Sequence, residues 1–177
     1  MGLNADLLVH QAKSIISAVS HLEGMEMVRH AERALDRPVI VEIGSYLGCS
    51  SVILGSVAQS KAGRLVMIDP FYETSIEECE KNLSHFKIHE YNILKGKSHD
   101  VIDRVPAEID VLFIDGDHHY DGVKLDCEDY IPRVKVGGVI MFHDYNSSWV
   151  GVRKAVDEVE GIHHVGLVDS LLISEKL

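Results

Sequence analysis

Residues 38–51 read PVIVEIGSYLGCSS. The apolar residues Val39, Ile40, Val41 and Ile43 surround Glu42, and three of them are β-branched neighbours in one run. That predicts a short buried strand. Gly44 permits a tight turn after it, and Gly48 lets the backbone come close to a ligand or to the next helix. The helix-like segment SSVILGSVAQ follows and presents free N–H groups to an anion. The glycine spacing is G-x-x-x-G. It is neither G-x-G-x-x-G nor a loop ending in G-K-[ST], so a dinucleotide pyrophosphate is disfavoured. A smaller anion, such as an amino-acid carboxylate, fits better.

Outward from this stretch the same rhythm repeats. RLVMID, KIHEYNI, IDVLFID and GGVIMFHD are further apolar runs. Helix-like segments separate them: TSIEECEKNLSHF, a short one near 98–104, and longer ones over 119–131 and 149–159. Continuous apolar strands alternating with helices predict an α/β fold, a mostly parallel sheet covered on both faces. HHVGLVD and SLLISEK predict an antiparallel hairpin at one edge. Ahead of the strands, residues 5–20 carry Leu7, Leu8, Ala12, Ile15, Ile16 and Val19 at helical spacing. A second helix is expected over 22–35, with Pro38 ending it. The length suits one domain over 1–177, with N-terminal helices over 1–36 and a core over 38–177.

Composition narrows the functional classes. Lys and Arg total 17 against 28 Asp and Glu, a formal net charge of −11. Most of such a surface repels a phosphate backbone, and no basic run is present, so no nucleic-acid partner is expected. The longest apolar runs are strand-sized, so no membrane partner is expected either. The stretch MGLNADL lacks a basic head and does not complete a myristoylation pattern. Cys49, Cys79 and Cys127 are widely spaced and form no C-x-x-C, which fits a reducing cytoplasm.

Four apolar runs end on an acid: Glu42, Asp69, Asp115 and Asp144. Open α/β sheets bind ligands outside the carboxyl ends of their strands, so all four acids should gather on one rim. Any one of them could instead cap the following helix. Asp69, at the end of the second strand, stands where an acid accepts hydrogen bonds from a ribose diol. Asp69-Pro70 would otherwise simply start a turn.

These residues resemble class I S-adenosylmethionine (SAM)-dependent methyltransferases. EIGSYLGCSS is similar to the SAM loop of catechol- and caffeoyl-CoA-type O-methyltransferases, and the likeness continues through VMIDP, GKSHDVI, FIDGDHHYDGV and GGVIMFHDY. The last two resemble small bacterial enzymes related to macrolide-sugar O-methyltransferases. The resemblance implies a Rossmann-like sandwich with a seven-stranded sheet, five strands parallel and an antiparallel seventh inserted beside the fifth. It implies SAM as cofactor, held by Glu42, Gly44, Ser45, Tyr46, Gly48, Ser50 and Ser51 at the methionine end. Asp69 and Pro70 would face the ribose, and Ser98, Phe71, Asp115, Gly116 and Asp117 the remainder.

Asp115 and Asp144 are expected to end adjacent strands, about 4.8 Å apart. Two carboxylates so close repel unless one is protonated or a cation lies between them. A divalent metal, Mg or another, is therefore expected on Asp115, Asp144 and His143. In the resembling enzymes the pair at 143–144 is acidic or Asp-Asn, whereas in this chain it is His-Asp, and imidazole suits other metals better than Mg. Strand alternation would point His143 and Asp144 to opposite faces unless the strand has already ended. His118 matches the general base of the macrolide-sugar enzymes, and histidine suits that role near pH 7. It could also cap the helix over 119–131.

The expected activity is O-methylation of a small hydroxylated acceptor, a sugar or a phenol, with His118 as base. A SAM-binding module without transfer activity and a nucleotide-dependent oxidoreductase are the alternatives. The N-terminal helices are candidates for a lid, for a homodimer surface, or for plain packing on their own sheet.

Overall fold

The computed structural model describes residues 3–146 and 148–177; Met1 and Gly2 of the MGLNADL stretch, and Ser147, lie outside the described residues. Two helices, α1 (Ala5–Ala12) and α2 (His21–Ala31), precede the alternating part. There follow β1 (Val39–Ile43), α3 (Cys49–Ser60), β2 (Arg64–Asp69), α4 (Ile76–His85), β3 (Tyr91–Lys95) and the short α5 (Ser98–Val101). β4 (Ile109–Ile114), α6 (Tyr120–Tyr130), β5 (Val134–Phe142), α7 (Val150–Asp157), β6 (Ile162–Val168) and β7 (Leu171–Lys176) complete the chain. The seven strands form one sheet in the order β3-β2-β1-β4-β5-β7-β6. β1 to β5 pair in parallel, and β7 inserts antiparallel between β5 and β6.

Strand alternation divides the core into two layers. Ile40, Leu65, Met67, Val111, Phe113, Val139 and Met141 face one side, where α1 to α4 pack. Val41, Ile43, Val66, Ile68, Leu112, Ile114, Ile140 and Phe142 face the other, under α5 to α7. Both faces being covered explains why the strands read as unbroken apolar runs. Among the described residues no helix is long and apolar enough to cross a membrane.

Three elements depart from the expected bounds. The helix expected over 5–20 stops at Ala12, and residues 13–20 form a wrapped segment. Ser17 Oγ accepts Val19 N–H, the Lys13 ammonium donates to the Val19 carbonyl, and Ile15 and Val19 are buried while Ile16 stays exposed. Those local side-chain bonds compete with the helix. The third strand begins at Tyr91 rather than Lys87, because Lys87 takes a positive φ of 58° in the turn after α4. β5 begins at Val134 rather than at Gly137, which sits inside it at φ 76° beside a register shift opposite Ile109 and Val111.

Candidate active site

The switch in strand order falls between β1 and β4, and a cleft of about 890 Å³ opens above the carboxyl ends there. This is where an open α/β sheet binds ligands. Asp69, Asp115 and Asp144 line it with Gly44, so three of the four acids expected on one rim share it; Glu42 does not, which corrects that expectation. The loops that carry them are conformationally constrained. Tyr46, Phe71 and Asp144 take positive φ values of 48°, 53° and 57°. Such conformations cost on the order of 1–3 kcal/mol each and persist where the surroundings hold them.

The first loop is pinned from two sides. Asp69 Oδ2 accepts the backbone N–H groups of Ser45 at 2.9 Å and Tyr46 at 2.8 Å, and Oδ1 accepts that of Phe71 at 2.5 Å. A carboxylate offers about four lone-pair sites, so Asp69 retains one acceptor position for a sugar hydroxyl, not two. From beneath, Glu42 Oε2 accepts Ser45 Oγ at 3.2 Å and Ser51 Oγ at 2.5 Å. Glu42 is fully buried, does not line the cleft, and leaves Oε1 without a hydrogen-bond partner. Burial pushes its carboxyl up to about 7, against the serine hydroxyls that lower it.

Ser45, Tyr46, Ser50, Pro70, Ser98, Gly116 and Asp117 line the cleft as expected. Gly48 stands behind the wall as the N-cap of α3. Phe71 is a correction: its ring is buried in the core layer, and Tyr72 takes the lining position. Asp117 is engaged at its own loop, accepting the backbone N–H of His119 at 2.8 Å.

At the far end, Asp115, His118 and Asp144 bring one ligand atom each within 4.8 Å of one another. His118 Nε2 lies 2.8 Å from Asp144 Oδ2 and 3.9 Å from Asp115 Oδ1. The Trp149 ring lies against the His118 ring, centroids 4.4 Å apart. His143, expected as a ligand, is not one of these three, although its Nδ1 lies 3.6 Å from Asp144 Oδ2. β5 ends at Phe142, so alternation no longer governs His143 and Asp144. Both His143 nitrogens are occupied: Nδ1 is 3.1 Å from Asp115 Oδ1, and Nε2 is 3.3 Å from Glu23 Oε2. Burial opposes charge on this imidazole, but the two carboxylates outweigh it and hold its pKa at about 10. Glu23 is buried too, yet bonds from His143, Ser20 and Ser170 bring it down to about 2. Asp115 is pushed up by burial, partly offset by His143. Donor type and spacing at Asp115, His118 and Asp144 fit a divalent cation.

Two buried acids at this site were not singled out by sequence reading. Glu23 forms a capping box with Ser20, and that local signal hides its reach to β5. Asp126 sits in the stripe Val123, Asp126, Cys127, Tyr130 that α6 turns to the core. An acid at an apolar position of that spacing was the available signal. Residues 16–18 of the wrapped N-terminal segment also line the cleft.

A family model described as a methyltransferase domain matches residues 41–145. The chain belongs to that methyltransferase family. It is 39% identical to uncharacterized protein R132 of Acanthamoeba polyphaga mimivirus, over 59% of this chain and 50% of the relative. It is 28% identical to a "Probable cobalt-precorrin-6B C(15)-methyltransferase (decarboxylating)" of Sulfurisphaera tokodaii, over 62% of this chain and 54% of that one. The chain thus spans about half the length of these curated relatives. Among solved structures it is similar to the O-methyltransferase TomG of Streptomyces achromogenes in complex with SAM. That match has 18% identity and a TM-score of 0.75, covering 99% of this chain and 91% of TomG. The fold is therefore the Rossmann-like methyltransferase sandwich that the resemblance implied.

Proposed function

We propose that this methyltransferase-family protein transfers a methyl group from SAM to a hydroxyl of a small, uncharged molecule, a sugar or a phenol. The observation that carries this reading is the His118–Asp144 contact at 2.8 Å, set at one end of a cleft whose other walls suit a nucleoside amino acid. SAM supplies an electrophilic methyl on a sulfonium. A neutral hydroxyl attacks it poorly, so the acceptor proton must leave as the new O–C bond forms. Asp144 aims the His118 imidazole and stabilises it once protonated, and His118 takes that proton. Ser45, Tyr46 and Asp69 fix the loop against the cofactor. The wrapped segment 13–20, with Ile16 at its crest, limits water at the methionine end.

A divalent cation would be held by Asp115, Asp144 and His118, with Asp115 kept in place by His143. It would supply a lower pKa to an acceptor hydroxyl. The contact with Asp144 puts the neutral imidazole's proton on Nε2 and leaves Nδ1 as the base, whereas a cation would take Nε2 itself, so the two arrangements exclude each other at any one moment. The cobalt-precorrin relative is named for methylation at carbon; a histidine–carboxylate pair beside the cleft favours a proton-bearing hydroxyl in this chain. Acid rather than base dominates the lining, with Asp69, Glu73, Asp115, Asp117, Asp121, Asp126 and Asp144 against Lys97, so an anionic acceptor is disfavoured. The test is radiolabelled SAM against a panel of sugars and phenols. Label transferred to a hydroxylated acceptor and lost in His118→Ala supports the reading. SAM binding with no transfer to any hydroxyl, or transfer unaffected by His118→Ala, overturns it.

A further inference from the structure

Asp144 presents its carboxylate to His118 from a backbone that an L-residue rarely adopts, at φ 57°. Such a conformation costs energy and persists only where the surroundings over-determine it. The sheet reaches as far as His143, whose N–H donates to the Ile114 carbonyl at 3.0 Å, and no further. The Asn146 N–H bonded to the Asp144 carbonyl at 2.8 Å is local. What flanks Asp144 is held instead from helix α2. On one side, the His143 ring places Nε2 3.3 Å from Glu23 Oε2. On the other, Tyr145 donates its backbone N–H to the Ser170 carbonyl at 2.9 Å. Ser170 is itself fixed by Glu23, whose Oε1 accepts its backbone N–H at 2.9 Å and its hydroxyl at 2.7 Å. The bonds close a circuit from Glu23 through His143, Asp144, Tyr145 and Ser170 back to Glu23, with the strained residue inside it.

Glu23 has no acceptor position to spare. A carboxylate offers about four lone-pair sites. Oε1 takes the two Ser170 donors, and Oε2 takes His143 and the backbone N–H of Ser20 at 2.7 Å. Each oxygen meets a backbone N–H, so an amide of the same shape would turn its own donor against one of them in either orientation. Helix capping accounts for the Ser20 bond alone. The other three bonds reach β5 and the β6–β7 turn, on either side of Asp144.

We propose that Glu23 is a positioning residue for methyl transfer: through His143 and Ser170 it holds Asp144 in the left-handed conformation from which its carboxylate meets His118. Glu23 does not line the cleft, and it acts through Asp144. This inference rests on the reading of His118 as the base. Without Glu23, Asp144 is free to relax to an ordinary φ and its carboxylate leaves the imidazole. A misplacement of about 1 Å in the reacting geometry costs up to about 10²-fold in rate.

The experiment measures methyl transfer, S-adenosylhomocysteine affinity and Trp149 emission in Glu23→Gln. Trp149 is the only tryptophan of the chain, and its ring lies against that of His118, so its emission follows the position of that imidazole. Glu23→Gln is expected to lower kcat about tenfold or more with S-adenosylhomocysteine affinity unchanged. It is also expected to move Trp149 emission to where Asp144→Ala places it. Because Glu23 acts through Asp144, its effect on kcat should vanish in the Asp144→Ala background, whereas a merely structural loss would multiply with it. Glu26→Gln, on the same helix but paired with Arg29 and His30, is the control and is expected to match the wild type. Where Glu23→Gln fails to melt cooperatively, Glu23→Asp makes the same comparison, keeping the charge opposite His143 but falling one methylene short. A multiplicative loss, or wild-type Trp149 emission in the folded variant, overturns the inference and leaves the proposed function intact. Normal transfer by His118→Ala, with Trp149 emission still shifted in Glu23→Gln, overturns the base assignment while the hold on Asp144 stands.

Discussion

His143 Nε2 lies 3.3 Å from Glu23 Oε2, and both side chains are almost wholly buried, at 1% and 2% exposure. Through this bond helix α2 is tied to the end of β5, and the other nitrogen of the same ring carries the tie on to Asp115. Glu23 also accepts the backbone N–H and hydroxyl of Ser170, in the turn between β6 and β7. One carboxylate thus joins the N-terminal helices, the inserted hairpin and the rim of the cleft. It lies outside the span that the family model matches, residues 41–145.

Removing Glu23 strands a buried imidazolium. Breaking a buried ion pair from one side costs about 3–5 kcal/mol. Glu23→Ala is expected to lose stability in that range, whereas Ser170→Ala, which removes one neutral hydroxyl, is expected to lose about 1 kcal/mol. Urea denaturation of both variants measures the difference. Equal losses would mean that the pair contributes nothing beyond a turn contact.

The Nε2 proton that His118 donates to Asp144 and a cation compete for one nitrogen, which gives a signed expectation. His118→Ala is expected to lower kcat by about 10²-fold or more, with S-adenosylhomocysteine affinity unchanged. Mn²⁺ added to chelator-treated protein is expected to bind, followed by loss of its free electron-spin-resonance signal. Binding should weaken in Asp115→Asn, Asp144→Asn and His118→Ala, and persist in His143→Gln, whose nitrogens are already taken. If His143→Gln alone abolished binding, the assignment of the cation to Asp115, Asp144 and His118 would be wrong.

Much of this site was legible because strand tips are. An apolar run ending in an acid marks its own face and its own end, so Asp69, Asp115 and Asp144 could be placed together from the sequence. What was not legible depended on partners distant along the chain. Glu23 satisfies a local capping rule completely, and nothing in SHLE tells of His143. The ring of His143 could be assigned to a metal as readily as to an ion pair until both of its nitrogens were located. Phe71 and Tyr72 are neighbours, and a positive φ at Phe71 decided which of them faces the cleft. The break in the first helix follows from serine hydroxyl and lysine contacts that periodicity does not weigh.

Gly44 is required by a contact as well as by its φ of 88°. A Cβ there would stand 1.9 Å from the Asp115 carbonyl oxygen, which is backbone and cannot move aside. Gly44→Ala is expected to cost about 2 kcal/mol or more, and to weaken S-adenosylhomocysteine binding by displacing β1 from β4. Gly137→Ala, also at positive φ but with no atom within 4 Å of the added Cβ, is the control. Comparable losses of ligand affinity in both would remove the role given to the β1–β4 approach.

Glu42 sets a pH dependence of definite sign. Burial raises its carboxyl from 4.5 to about 7 in the folded protein, whereas the unfolded chain titrates near the ordinary value. Between those two pH values the folded state holds a proton that the unfolded state has released. Stability contributed by this group therefore falls as pH rises from 4.5 to 7, by up to about 3 kcal/mol at roughly 1.4 kcal/mol per unit, and is flat above. Glu42→Gln lacks that proton exchange while keeping an acceptor for Ser45 and Ser51. The stability of the wild type minus that of the variant is expected to decline across this window and to level off beyond it. Urea denaturation at pH 4.5, 6, 7 and 8.5 reads it directly. A difference that did not change between pH 4.5 and 7 would mean that Glu42 is ionised throughout and that a donor reaches its second oxygen.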